Sequence, residues 1–142
     1  MIKRKANAIW EGDLKKGKGA LSVESGAFTG KYSFTSRFEE GTGTNPEELI
    51  GAAHAGCFSM ALSGDLTKAG YIVNEIRTEA IVSMEKGDSG FSISGIKLVT
   101  KAKVPGIEME EFAEIASGAK NNCPVSRALK AVPVQLEAHL IK

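Results

Sequence analysis

The chain has 142 residues, 42% of them hydrophobic and 25% charged, with a formal net charge of +1. The length fits one domain covering residues 1–142, and the composition is ordinary for a globular protein. A charge so close to neutral gives no general electrostatic reason to expect a nucleic acid or an anionic membrane as a partner.

No segment of the sequence predicts secretion, membrane insertion or a metal site. The basic N-terminus is followed by acidic residues rather than by an apolar run, so no signal peptide is predicted. The longest uncharged stretch, residues 49–64, is shorter than the roughly 20 apolar residues that span a bilayer. Two cysteines are too few for a zinc site unless His54 and His139 both join them. We therefore expect a cytoplasmic protein, in a compartment where thiols are kept reduced.

The first quarter of the chain predicts three strands separated by glycine-containing turns, at residues 5–11, 19–25 and 31–38. In the third of these, aromatic residues share one face of the strand. Arg37 falls on the opposite face, away from the aromatic side.

A long helix is predicted to follow over residues 45–69. Asn45 suits the N-cap, Pro46 suits the first helical position, and Glu48 completes a capping-box-like pattern. Gly70 is expected to end the helix. The segment is apolar nearly all round and rich in small residues, which is typical of a buried helix that another backbone approaches closely. So short a chain has little sheet with which to cover such a helix, and we therefore predict a homodimer.

The remainder predicts two long strands, two helical segments and a last strand. The strands fall at residues 76–85 and 91–104, with a bulge at Gly95 where the alternation changes phase. A helix is predicted at residues 108–120, a helical turn from Cys123 to residue 129, and a strand at residues 132–140. The order βββαββαβ predicts an α+β fold.

Cys57 lies in the middle of the long helix and has two interpretations. Free cysteine often serves as a small buried hydrophobe, but a nearby cation lowers the pKa of a thiol and makes it reactive. Glu47 lies about 80° from Cys57 around the helix and about 15 Å along it. Its carboxylate is therefore too far away to touch the sulfur, but it could hold a long side chain that touches the sulfur. Arg37 is the best candidate for that side chain, because arginine keeps its charge and can bind a carboxylate and an anion together.

The neighbours of the two thiols leave further alternatives open. His54 precedes Cys57 by three residues and shares its helix face, so it is either a general base for a Cys–His acyltransferase or a packing and hydrogen-bonding residue. Neighbours at this spacing on a rigid helix seldom reach in-line geometry, which favours the second interpretation. Cys123 precedes Pro124 and is therefore predicted to cap a helix, where free N–H groups favour a thiolate; otherwise it is a cap without chemistry.

These residues belong to motifs that closely resemble the OsmC/Ohr family of thiol-dependent organic hydroperoxide reductases. The resemblance extends over essentially the whole chain and is carried by residues 10–13, 35–39, 43–61 and 122–126. It implies an intertwined α+β homodimer whose central helices are enclosed by antiparallel sheets, with two active sites at the subunit interface. It also implies a peroxidase of oxidative and osmotic stress defence that needs no metal or other cofactor.

The resemblance also implies roles for four residues. Cys57 is the peroxidatic cysteine, Cys123 the resolving cysteine, and Glu47 the carboxylate that pairs with the active-site arginine. That arginine comes from the first hairpin in one branch of the family, but the first hairpin here has none, so Arg37 is preferred. Organic hydroperoxides are the implied substrates, with hydrogen peroxide reduced less well, and an external dithiol of the lipoyl type is the implied reductant. The remaining alternative is a non-catalytic dimer that binds a small apolar ligand and has inert thiols.

Overall fold

Three short strands form an antiparallel sheet at the start of the chain. The computed structural model describes all residues, Met1–Lys142, and the strands are β1 (Ala6–Glu11), β2 (Lys18–Val23) and β3 (Thr29–Tyr32). They lie in the order β1-β2-β3. The rings of Trp10 and Tyr32 lie 5.4 Å apart, and a Cβ at Gly19 would collide with both of them. Glycine at this position therefore allows the two aromatic side chains to meet over the middle strand.

The third strand is shorter than the sequence predicted, and Arg37 lies on a helix instead. The helix α1 (Phe34–Phe38) follows directly, with Ser33 as its N-cap. The Ser33 hydroxyl accepts a hydrogen bond from the Ser36 backbone N–H, and the Ser36 hydroxyl accepts one from the Ser33 N–H. The alternation of aromatic and polar residues predicted a strand, but these reciprocal serine caps stabilise a helical turn at the same residues.

The long helix α2 (Pro46–Lys68) agrees with the prediction at both ends. Asn45 Oδ1 accepts a hydrogen bond of 2.7 Å from the Glu48 backbone N–H, while the Glu48 carboxylate accepts one from the Thr44 hydroxyl. At the other end Gly70 has φ +96°, and the Tyr71 N–H donates to the carbonyl oxygen of Leu66. This is a Schellman ending, which requires the left-handed conformation that glycine adopts most easily.

The chain divides into two compact units, Met1–Leu49 and Ile50–Lys142, and the boundary falls inside α2. The single domain expected from the length stays a prediction. No helix of this protein combines the length and the apolar character that crossing a bilayer requires.

The second unit contains a three-stranded sheet and the main core. Its strands are β4 (Glu75–Gly87), β5 (Gly90–Lys103) and β6 (Val134–Leu140), in the order β4-β5-β6. The pairing of β4 with β5 is antiparallel and shifts between Ser83 and Met84, opposite Gly95, which confirms the predicted bulge. The pairing of β5 with β6 is parallel, so this sheet is mixed and not wholly antiparallel. The helices α3 (Met109–Asn122) and α4 (Pro124–Ala128) form the crossover that a parallel pair requires.

The core joins one face of α2 to α3 and the sheet. Its fully buried side chains include Phe58, Leu62 and Leu66 from α2, Phe112 from α3, and Leu98 from β5. The α2 residues recur every four positions, so they line one side of the helix. Within one chain the other side is not covered: Met60 is 81% exposed, and the small residues that flank it are exposed as well, namely Ala52, Ala53, Gly56 and Gly64.

Candidate active site

The fold brings together the two cysteines, which are far apart in the sequence. Cys57 lies on α2, and Cys123 lies between α3 and α4, where it ends one helix and caps the next. Both thiols are free; Cys57 is partly exposed and Cys123 is only 1% exposed. Cys57 packs against the buried core cluster that includes Cys123, and Cys123 is among the side chains that raise the pKa of Cys57. The fold therefore places the two thiols in the same neighbourhood.

Cys123 is the N-cap of α4, as the sequence predicted. The backbone N–H of Ser126 donates to Cys123 Sγ at 3.4 Å, and Pro124 occupies the first turn of the helix. A sulfur in this position satisfies one of the N–H groups that a helix leaves unpaired at its start.

The surroundings of Cys57 favour its neutral thiol. Burial is the largest cause that raises the pKa of Cys57, and the hydrogen bond that Cys57 donates to Cys123 and the charge of Cys123 raise it further. The backbone N–H of Val125 acts in the opposite direction, because it donates to the sulfur and stabilises the thiolate. A reactive thiolate at neutral pH therefore requires an additional positive charge, and the lowering of this pKa by Arg37 stays a prediction.

A buried histidine is connected to this pair through a serine that the sequence analysis missed. His54 Nε2 lies 2.7 Å from Ser126 Oγ, and Cys123 donates its S–H to the same Oγ at 3.1 Å. His54 is completely buried, burial lowers its pKa, and its Nδ1 has no hydrogen-bond partner in the chain. The interpretation of His54 as a hydrogen-bonding residue is confirmed. The signal for Ser126 was its place three residues after a capping cysteine, where capping partners commonly occur.

The other two predicted site residues form an ion pair in the first unit. Arg37 on α1 donates from Nε to Glu47 Oε1 at 2.9 Å and from a terminal nitrogen to Oε2 at 3.2 Å. The Glu47 side chain is only 11% exposed, against 38% for that of Arg37. This two-pronged geometry fixes the orientation of the guanidinium plane. The expectation that Glu47 holds a long basic side chain is thus confirmed for Arg37.

The guanidinium of Arg37 also borders a small apolar cavity of the first unit. The central carbon of the guanidinium, Cζ, lies 5.1 Å from the Phe38 ring centroid. The cavity has a volume of about 220 Å³. It is lined by Trp10, Leu14, Tyr32, Ser33, Phe34, Arg37 and Phe38. A cation at the edge of an aromatic cavity suits a molecule with an apolar body and a polar or anionic end.

Comparison with known proteins places the chain in a family. Residues 39–137 match the sequence pattern of the OsmC-like proteins, and the chain belongs to this family. It is 53% identical over 131 residues to the protein named peroxiredoxin OsmC of Escherichia coli strain K12, covering 92% of each chain. It is also 36% identical over 98 residues to the organic hydroperoxide resistance protein OhrB of Bacillus subtilis, covering 68% of this chain and 70% of that protein.

Solved structures of the same group have the same fold. The crystal structure of B. subtilis OhrB superposes with a TM-score of 0.74 at 28% identity, covering 94% of this chain and 97% of that chain. An OsmC-like protein from Mycoplasma pneumoniae superposes with a TM-score of 0.78 at 14% identity, covering 99% of both chains. The α+β fold predicted from the sequence is therefore confirmed.

Proposed function

We propose that this chain is a thiol peroxidase of oxidative and osmotic stress defence that reduces organic hydroperoxides to alcohols, and hydrogen peroxide less well. The observation that carries the proposal is the proximity of the two thiols: Cys57 packs against the core cluster that includes Cys123, and Cys123 acts on the pKa of Cys57. A partly exposed thiol beside a buried one is the arrangement that an attacking and a resolving cysteine require. The names of the relatives, peroxiredoxin and organic hydroperoxide resistance protein, support the same chemistry.

In the first step the Cys57 thiolate attacks the distal oxygen of the hydroperoxide. The O–O bond breaks, Cys57 becomes a sulfenic acid, and the alkoxide takes up a proton and leaves as an alcohol. In the second step Cys123 attacks the sulfenic sulfur, water leaves, and a Cys57–Cys123 disulfide forms. An external dithiol of the lipoyl type then reduces this disulfide by thiol exchange.

Arg37 and Glu47 supply the positive charge in this proposal. Burial raises the pKa of Cys57, and a guanidinium near the sulfur opposes this effect by stabilising the thiolate. The same cation stabilises negative charge on the leaving oxygen. Glu47 holds the guanidinium in one orientation through two hydrogen bonds. The apolar cavity beside Arg37 favours hydroperoxides that carry an apolar group.

The proposal includes a homodimer in the cytoplasm, with no nucleic acid or membrane as partner. The exposed face of α2, which consists of Met60 and small residues, supports a second copy as its cover. Neither a metal nor another cofactor enters any step above, because the electrons come from the two thiols.

The test is a turnover assay with cumene hydroperoxide and hydrogen peroxide, using dihydrolipoamide as the reductant. Cys57→Ser is expected to abolish consumption of both peroxides, because serine is not nucleophilic at neutral pH. Cys123→Ser is expected to consume about one equivalent and then stop or become overoxidised. Normal rates in Cys57→Ser would refute the proposed mechanism.

A further inference from the structure

The mechanism above leaves one buried titratable side chain without a role. His54 is completely buried on α2, and its Nε2 lies 2.7 Å from the hydroxyl oxygen of Ser126. The same oxygen accepts the S–H of Cys123 at 3.1 Å. Thiol, hydroxyl and imidazole thus form a continuous chain of hydrogen bonds that ends at the resolving cysteine.

The hydrogen bonds of Ser126 bear on the protonation of the histidine. Ser126 Oγ accepts from Cys123 and keeps its own hydrogen, for which His54 Nε2 lies within reach at 2.7 Å. Burial lowers the pKa of His54, which favours the neutral ring, and in the arrangement that we infer Nε2 accepts from Ser126 while the ring proton is on Nδ1. That nitrogen has no hydrogen-bond partner in the chain. A leucine or phenylalanine would fill this place without an unpaired polar atom, so packing alone does not explain a histidine here.

From this arrangement, which presupposes the proposed function, we propose that Ser126 and His54 form a proton relay that activates Cys123 for its attack on the Cys57 sulfenic acid. Ser126 touches the reacting sulfur. His54 acts through Ser126 and is a positioning and proton-accepting residue. This role is distinct from that of Arg37, which serves Cys57 in the step before.

The step balances without any further reactant. As Cys123 Sγ forms its bond to the sulfenic sulfur of Cys57, its proton passes to Ser126 Oγ and the Ser126 hydrogen passes to His54 Nε2. The S–O bond of the sulfenic acid breaks and its electron pair leaves with the hydroxide. The imidazolium returns its proton through Ser126, and the hydroxide departs as water. The thiol sulfur of Cys123 and the sulfenic sulfur of Cys57 end as one disulfide, and His54 is again neutral.

The charges around Ser126 explain why a buried base is useful there. The hydroxyl also borders a cavity of about 610 Å³ whose lining includes Lys120, Arg127 and Lys130. A proton released toward this cavity approaches three cations, which opposes its release. The imidazole of His54, 2.7 Å from the hydroxyl oxygen, offers the proton a neutral acceptor instead.

The experiment is a single turnover of the full-length reduced protein with one equivalent of cumene hydroperoxide. Stopped flow follows hydroperoxide loss, and acid quenching with mass spectrometry follows disulfide formation. Two variants are informative. Ser126→Ala removes the hydroxyl and with it the relay. His54→Gln keeps a hydrogen-bond acceptor near the position of Nε2, but an amide does not act as a base. Ser126→Thr keeps the hydroxyl. Ser59→Ala is the matched control, because it also removes a serine hydroxyl. Ser59 lies on α2, as His54 does, but its hydroxyl donates a hydrogen bond to Thr78.

We expect Ser126→Ala and His54→Gln to slow disulfide formation by at least about tenfold, a conservative figure for the loss of acid–base assistance. Hydroperoxide loss should remain within about twofold of the wild-type rate in both, and the sulfenic acid should accumulate as a dimedone adduct. Ser126→Thr and Ser59→Ala should match the wild type. At high pH, where a general base is no longer needed to deprotonate a thiol, the slow variants should approach the wild-type rate, which a damaged fold would not do.

Two further outcomes separate this inference from the proposed function. If wild-type protein consumes no hydroperoxide, the proposed function fails. If the wild-type protein forms the disulfide, and Ser126→Ala and His54→Gln form it at the same rate, the relay is refuted. If Ser126→Ala alone is slow, the role proposed for His54 is refuted. Should the variants not fold, a proton inventory of wild-type disulfide formation decides: a curved dependence on deuterium content supports two moving protons, and a linear one contradicts the relay.

Discussion

At the scale of single residues, the chemistry depends on a thiol whose own surroundings oppose its ionisation. Burial raises the pKa of Cys57, and the adjacent Cys123 raises it further. A group that the fold keeps neutral becomes nucleophilic only when a cation compensates. The Arg37–Glu47 pair, with hydrogen bonds of 2.9 and 3.2 Å, is the preorganised cation for which we propose this role.

Replacing Arg37 with Met is expected to lower kcat/KM for cumene hydroperoxide at neutral pH by about 10- to 100-fold, because the thiolate and the leaving oxygen both lose a cation. Glu47→Gln should have a smaller effect in the same direction. The sign of the pH dependence follows from the pKa of Cys57. Without the guanidinium, burial keeps this pKa above that of an ordinary thiol, so the rate of Arg37→Met should continue to rise at alkaline pH where the wild-type rate has levelled off.

The chain contains a matched control for this pair. Arg77 and Glu75 form the same two-pronged contact at 2.7 and 3.3 Å on an exposed strand, so Arg77→Met also deletes a paired guanidinium. It should leave the rate and its pH profile unchanged. Equal losses in Arg37→Met and Arg77→Met would show that the effect is one of general charge and would contradict the role of Arg37.

At the scale of elements, helix α2 was predictable and α1 was not. The ends of α2 carry strong local signals, an Asn-Pro-Glu-Glu start and a glycine stop, and these determine its bounds without help from the rest of the chain. The residues of α1 have the alternation of a strand. Their helical state depends on two weak serine caps, for which no periodic signal exists. Arg37 was therefore placed on the wrong kind of element, although it pairs with Glu47 as expected.

The exposed face of α2 gives a prediction about assembly. Met60 is 81% exposed in the middle of a row of small residues, so Met60→Glu places a charge where we propose that a second chain packs. Burying an unpaired carboxylate is costly, and we expect the variant to elute as a monomer in size-exclusion chromatography with light scattering, while the wild type elutes as a dimer. Ile72→Glu is the control, because Ile72 is similarly exposed at 74% but follows the end of the helix. A monomeric wild type, or a dimeric Met60→Glu, would contradict this account of the helix face.

At the scale of the whole molecule, the sequence predicted local elements better than it predicted contacts between distant segments. The order of the six strands and the two long helices, the bulge at Gly95 and the capping role of Cys123 follow from local patterns and agree with the structure. The parallel pairing of β5 with β6 and the contact of His54 with Ser126 join segments far apart in the chain. Periodicity and capping are local signals and carry no information about such pairings. For this reason the role of Ser126 emerged only from the fold.

The central claim is that two distant thiols act as one redox pair. The most direct measurement oxidises reduced wild-type protein with one equivalent of cumene hydroperoxide, alkylates the remaining thiols and maps the peptides by non-reducing mass spectrometry. The account predicts the loss of both thiols, an intrachain Cys57–Cys123 linkage and one equivalent of cumyl alcohol. Two alkylated cysteines beside unconsumed hydroperoxide would contradict it, because the thiols would then be inert, as expected of a dimer that only binds an apolar ligand.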